Sequence, residues 1–169
     1  KVYKYYMKIL AIQSRMGVGD TVIFLPFIKA LSKKFNSPIS ILVKENSKAN
    51  QYLHQTKYID KILTLERDDK TNNRHGGFFG IFKLANDLKK YKFDKIFIFN
   101  SSLRFNLIAK ISGIPQIYQY PLFAKNKQHI IEAPKKFLKK NLDLDINEDP
   151  EVQIDSDLIS KAAQKFQID

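Results

Sequence analysis

The sequence has no cysteine, only three histidines, and 17 acidic residues against 29 lysines and arginines in 169 positions. The missing cysteine excludes a disulfide framework and any thiolate metal site, and it fits a reducing compartment. His54, His75 and His129 are far apart, and none has the spacing of a metal-ligand pair, so each is expected to be structural or superficial. No apolar run approaches the roughly 18 residues that cross a bilayer. The opening stretch KVYKYYMKILAIQS has a short apolar core, no small-residue cleavage site, and Arg15 directly behind it, which argues against a signal peptide. Met7 is either an internal start or a core residue. The shortage of acids leaves a formal charge of +12, which favours anionic partners or reflects a solvated, lysine-rich surface. Most of the surplus is lysine in KK pairs, and Arg–aromatic clusters are few, so no nucleic acid is expected as a partner.

What is present reads as an alternation of strands and helices, in a length close to one domain. Short apolar runs predict strands at Met7–Gln13, Pro38–Lys44, Asp60–Glu66, Phe93–Asn100 and Gln116–Tyr120. Helical spacing predicts helices over Asp20–Phe35, Ser47–His54, Phe78–Tyr91, Leu103–Ile111 and Gln128–Leu142, with Pro26 expected to kink or shorten the first. Arg67–Gly77 is a polar loop ending in two glycines. Strands apolar on both faces and separated by helices imply an α/β fold: a Rossmann-like parallel sheet with helices on both faces. Such sheets bind ligands beyond the carboxyl ends of their strands, so the turns after Gln13 and around Asn100 are where chemistry is expected. The acidic, proline-containing stretch Asn141–Asp155 reads as a linker, and Ser156–Phe166 as the start of a further helix.

The turn RMGVGDTVIFLP, Arg15–Pro26, carries the sharpest signal. Gly17 and Gly19 fit the start of a dinucleotide fingerprint, but Val22 stands where its third glycine belongs. Asp20 would also repel a phosphate brought to the same helix end. A Walker loop is excluded because no Gly-Lys-Ser/Thr follows. Two readings of Asp20 remain: a plain helix N-cap, worth on the order of 1 kcal/mol, or a general base facing a substrate hydroxyl. The two glycines strip side chains from the turn and would let a substrate approach closely.

MKILAIQSRMGVGDTVIFLPFIKALSKKF, then ISILVKENSKANQYL, YIDKIL and FDKIFIFNSSLRFNLIAKISGIPQIYQYP, in that order, resemble the N-terminal half of the heptosyltransferases, glycosyltransferase family 9. The resemblance covers nearly the whole chain. It implies the acceptor-binding domain of a two-domain B-type glycosyltransferase, at residues 1–140, with an interdomain linker at 141–155 and the start of a donor-binding domain at 156–169. The activity implied is an inverting, metal-independent transfer of a sugar, heptose from ADP-heptose, to a lipopolysaccharide core-type acceptor. No cofactor is implied. The partners implied are a nucleotide-sugar donor, held mostly by the second domain, and an anionic glycolipid acceptor, with the protein cytoplasmic and peripheral on the inner face of the membrane. The family's Gly-Asp aspartate falls on Asp20 as the catalytic base. Gly17, Val18 and Gly19 fall where the wall for the sugars is expected, Arg15 as a phosphate contact or a surface cation, and Asn100, Ser102 and Arg104 at the sheet edge as acceptor contacts, with Arg104 open to a plain helix-surface charge. The turn SRMGVGD is spaced differently from the common Ser-Ser-Leu-Gly-Asp form, and Asn100 and Ser101 stand where many relatives carry Gln and Gly. Both departures leave the acceptor open.

Other constellations carry less. A triad of Ser14, His75 and Asp94 lacks a nucleophile elbow, and Asp68–Asp69 reads as solvated loop rather than as a metal site. The cluster KKFLKK, Lys135–Lys140, is a solvated helix face or a contact for an anionic membrane surface. The competing function is a non-catalytic Rossmann-like module that binds a nucleotide or an anionic glycan.

Overall fold

A computed structural model describes residues 6–14, 17–67, 73–122 and 130–152. Five strands, β1 (Ile9–Ile12), β2 (Ile39–Lys44), β3 (Ile59–Leu65), β4 (Lys95–Ile98) and β5 (Gln116–Gln119), form one sheet in the order β3-β2-β1-β4-β5. All four pairings are parallel. The helices are α1 (Val18–Phe35), α2 (Ala49–Tyr52), α3 (Phe79–Lys89), α4 (Leu103–Ile111) and α5 (Glu132–Leu142), with a 3-10 turn at Glu45–Ser47.

The period of two along each strand sorts the core into two layers. Ile9, Ala11, Ile39, Ile41, Val43, Phe97 and Phe99 face α1 and α5, against Phe24, Phe27, Leu31, Phe137 and Leu138. Leu10, Ile12, Leu42, Ile96 and Ile98 face α3 and α4, against Leu84, Leu88, Phe105 and Ile108. The central strands are therefore buried on both faces, which is why they read as continuous apolar runs. The edge strands β3 and β5 are only partly buried, as their mixed sequences require.

Two expectations change. α1 starts at Val18, two residues before Asp20, and continues to Phe35 past Pro26. The proline does not shorten the helix; it removes one backbone donor and is itself buried. The Ser47–His54 helix shrinks to the 3-10 turn and the single turn of α2. The acidic stretch after α5 lacks regular structure over 143–152 and lies against α1. Ile146 is buried, Glu148 pairs with Lys29 at 3.0 Å and Lys33 at 2.5 Å, and Glu151 lies 3.9 Å from Lys29. Its charges complement the basic surface of α1, so it docks. The predicted helix Ser156–Phe166 lies outside the described residues.

Candidate active site

In a parallel sheet the crevice lies where the strand order reverses. Here that is between β1 and β4, because β2 and β3 extend to one side and β4 and β5 to the other. The turns that leave these two strands meet there. Asn100 Nδ2 donates to Ser14 Oγ at 2.7 Å, joining the turn after β1 to the turn after β4. Asn100 Oδ1 accepts from the Ser102 backbone N–H at 2.7 Å. Ser102 is the N-cap of α4, its Oγ accepting from Arg104 N at 3.3 Å. Gln119, at the end of β5, donates from Nε2 to the carbonyls of Asn100 and Ser102, both at 2.9 Å. Asn106 in turn donates to Gln119 Oε1 at 2.9 Å. The β4–α4 turn is thus fixed by side chains on three sides.

The β1–α1 turn is built differently. Gly17 occupies the N-cap of α1 with φ 103°, a backbone conformation open to glycine and costly for other residues. No side chain caps the helix. Asp20 is the third helical residue, so its reading as the N-cap is corrected: Gly17 is the cap, and Asp20 sits in the first turn, where a carboxylate is favoured by the helix dipole. Gln13 Nε2 donates to the Asp20 backbone carbonyl at 3.4 Å, and Thr21 Oγ1 donates to the Gly17 carbonyl at 3.1 Å. Among the described residues, a Cβ on Gly17 or on Gly19 would meet no atom within 4 Å apart from its chain neighbours and its own helix. Val18 between them is exposed. The wall of this turn is therefore bare backbone with open space in front, next to a partly exposed carboxylate.

Of the residues expected at the site, Gly17, Val18, Gly19 and Asp20 form one turn, and Asn100 and Ser102 the facing one. Arg15 lies outside the described residues. Arg104 has another occupation: its Nη1 donates to Gly77 O at 2.7 Å and its Nη2 to His75 O. It clamps the loop that precedes α3 onto α4. Ser14, Gln13 and Gln119 were missed as parts of the site. The signal for them is positional, since Gln13 and Ser14 follow β1 and Gln119 ends β5, all at the carboxyl edge.

The remaining candidates resolve into structure. His75 is buried; its Nδ1 accepts from Glu66 N at 3.1 Å, which places the proton on Nε2, 3.2 Å from Asp87 Oδ2. The Arg74 guanidinium, bonded to Asp87 at 2.5 and 2.9 Å, holds the Asp87 carboxyl down at about 2. Asp94 accepts from Lys8 N at 2.8 Å before β4, while Ser14 is bonded beyond the end of β1, so Ser14, His75 and Asp94 form no triad. His54 is exposed. His129 and Asp68–Asp69 lie outside the described residues. In KKFLKK, Lys139 is paired with Asp143 at 2.8 Å and Asp145 at 2.6 Å, which raises its pKa and neutralises part of that cluster. Among the described residues no three His, Cys, Asp or Glu side chains are grouped to hold a metal, and no helix is long and apolar enough to cross a membrane.

No protein-family model matches the chain, and no curated protein matches it in sequence. Solved structures do match in fold. The glycosyl transferase family 9 protein of Veillonella parvula superposes with a TM-score of 0.72 at 18% identity, over 98% of this chain and 51% of that one. The Escherichia coli ADP-heptose LPS heptosyltransferase II superposes with a TM-score of 0.62 at 16% identity, over 96% and 51%. The E. coli heptosyltransferase WaaC with ADP gives 0.55 at 11%, over 84% and 49%. The chain spans about half the length of these proteins. At such identities the likeness is one of fold, and in fold this chain resembles half of a family 9 glycosyltransferase.

Proposed function

We propose that this chain is the acceptor-binding, N-terminal half of an inverting glycosyltransferase that moves a sugar, heptose from ADP-heptose, onto an anionic, lipopolysaccharide core-type glycolipid. On this reading residues 1–140 form the acceptor domain, 141–155 lead out of it, and 156–169 begin the donor domain. The observation that carries the reading is the turn at the switch point: two glycines with open space before them, followed at once by Asp20 in the first turn of α1. The fold likeness to family 9 structures adds to it.

The chemistry follows from that placement. A sugar hydroxyl is a weak nucleophile at neutral pH. Asp20 takes its proton as the hydroxyl oxygen attacks the anomeric carbon of the donor. The new glycosidic C–O bond forms on one face while the bond to the nucleoside diphosphate breaks on the other, inverting the centre, and the diphosphate leaves with the bonding pair. A positioned base supplies roughly 10²–10⁴-fold in such a step. Gly17, Val18 and Gly19 are the wall along which the sugars lie. Asn100 and Ser102 already hold each other, so they present a rigid second wall rather than free arms.

The test is sugar transfer by the full-length protein, wild type against Asp20→Asn, with a panel of labelled nucleotide sugars and an anionic core-oligosaccharide lipid. Transfer from ADP-heptose that disappears in a folded Asp20→Asn protein is the expected result. Transfer from another donor keeps the mechanism and changes the substrate. Full activity in the variant removes Asp20 as the base and favours the competing reading, a non-catalytic module in which Asp20 serves only the helix dipole.

A further inference from the structure

The outward face of α3 and α4 does not look like the surface of a freely solvated domain. Phe78, Phe79 and Phe82 are 69%, 76% and 48% exposed, and their rings touch one another rather than the core, with centroids 6.0 Å (Phe78–Phe79) and 5.5 Å (Phe78–Phe82) apart. Beside them α4 exposes Leu103, Leu107 and Ile111, one turn apart along one stripe. The two helices cover the same face of the sheet and are joined by Ser112 Oγ donating to Ala85 O at 3.2 Å. An exposed aromatic cluster, with an exposed aliphatic stripe on the helix packed beside it, marks an interaction site.

The charges around it select the occupant. Lys83, Lys89 and Lys110 are exposed on the same two helices. The single acid on them, Asp87, is already held by Arg74 and neighboured by Lys90 at 3.5 Å. Two copies of this chain meeting here would set lysine against lysine. Bulky aromatic side chains among lysines suit an anionic bilayer surface, where the rings enter the acyl boundary and the ammonium groups meet phosphates.

We infer that the Phe78–Phe82 end of α3, with the exposed stripe of α4, is the face by which this protein docks on an anionic lipid bilayer. The patch adjoins the candidate site: Gly77, just before Phe78, is held by Arg104, two residues after the Ser102 cap. Docking there brings the start of α4, next to the β4–α4 turn, to the headgroup layer. That consequence rests on the glycolipid acceptor proposed above; the docking itself does not.

The test is vesicle co-sedimentation of the full-length protein, on phosphatidylcholine vesicles with and without phosphatidylglycerol. The expected result is binding only to the anionic vesicles, with affinity lowered roughly tenfold or more by Phe79→Ser/Phe82→Ser and lowered also by Lys83→Glu/Lys110→Glu. Both pairs are exposed, so an unchanged melting temperature confirms that folding survives. Lys135→Glu/Lys136→Glu on α5 is the control and should bind as wild type. Undiminished binding by the phenylalanine variant, binding confined to the α5 cluster, equal binding to neutral vesicles, or a concentration-dependent dimer abolished by Phe79→Ser/Phe82→Ser would overturn the inference. Transfer to a delipidated, water-soluble acceptor separates the two readings. The phenylalanine variant should keep it while losing transfer at the vesicle, whereas failure of all transfer with vesicle binding intact would sink the enzymatic reading alone.

Discussion

Arg104 offers the clearest trial of the geometry, because two roles for it predict different measurements. Its guanidinium bridges two backbone carbonyls, Gly77 O at 2.7 Å and His75 O. Each is a bond from a charged donor, worth about 1.5 kcal/mol at the low end of the usual range, so Arg104→Ala should free the loop by about 3 kcal/mol. The effect is local. The amides that hold this loop are His75 N to Glu66 O at 2.8 Å, Gly76 N to Asn73 O at 2.9 Å, and Gly80 N to Gly76 O at 3.0 Å. An opening made easier by about 3 kcal/mol speeds their hydrogen exchange roughly 100-fold, while the amides of β1 and β4 stay protected. Arg104→Lys keeps the charge but cannot bridge both carbonyls, so it should fall between wild type and alanine. The assay is residue-resolved hydrogen exchange beside the KM for the acceptor. Unchanged exchange at 75–80 together with a raised KM would refute the clamp and return Arg104 to the acceptor.

Three further outcomes follow from the same geometry. Gly19→Ala meets no protein atom and adds a better helix former, so stability should hold or rise by up to about 1 kcal/mol; loss of transfer in that variant would report substrate pressing on the turn, and unchanged kinetics would mean that no substrate approaches there. Gly80→Ala places a Cβ 2.2 Å from the His75 carbonyl carbon and 2.9 Å from Arg104 Nη2, so calorimetry should read a loss of about 3 kcal/mol; a neutral result would mean the loop yields easily. The Asp87 carboxyl is held down at about 2, below the ordinary aspartate range, first by its hydrogen bond to Arg74. Its contribution to stability is therefore whole above about pH 4 and is lost as pH falls toward 2. Asp87→Asn should cost about 1 kcal/mol near neutrality, discounted for the half-exposed arginine, and should flatten the acid limb; equal acid sensitivity in both proteins would place the titrating group elsewhere.

The one-dimensional pattern determined the sheet. Continuous apolar runs such as ILAI and IFI can be buried only on both faces, and the helical stretches between them force parallel crossovers. It determined the α4 boundaries, because Ser102 caps and Gly113 follows. It also located the two turns at the carboxyl edge, since a parallel sheet puts every strand exit on one side.

Only the tertiary structure decided what each side chain does once there. Nothing in the local sequence separates Arg104 as a clamp from Arg104 as a substrate contact, because its partners are carbonyls 27 and 29 residues away. The same is true of Asn100 reaching Ser14 across 86 residues, and of Glu148 in the acidic stretch meeting the lysines of α1. The cap of α1 moved from Asp20 to Gly17 because a positive φ, invisible in composition, sets where the helix begins. Local pattern is written by burial and period, which each residue carries with it; partnership depends on which distant backbone the fold brings within 3 Å.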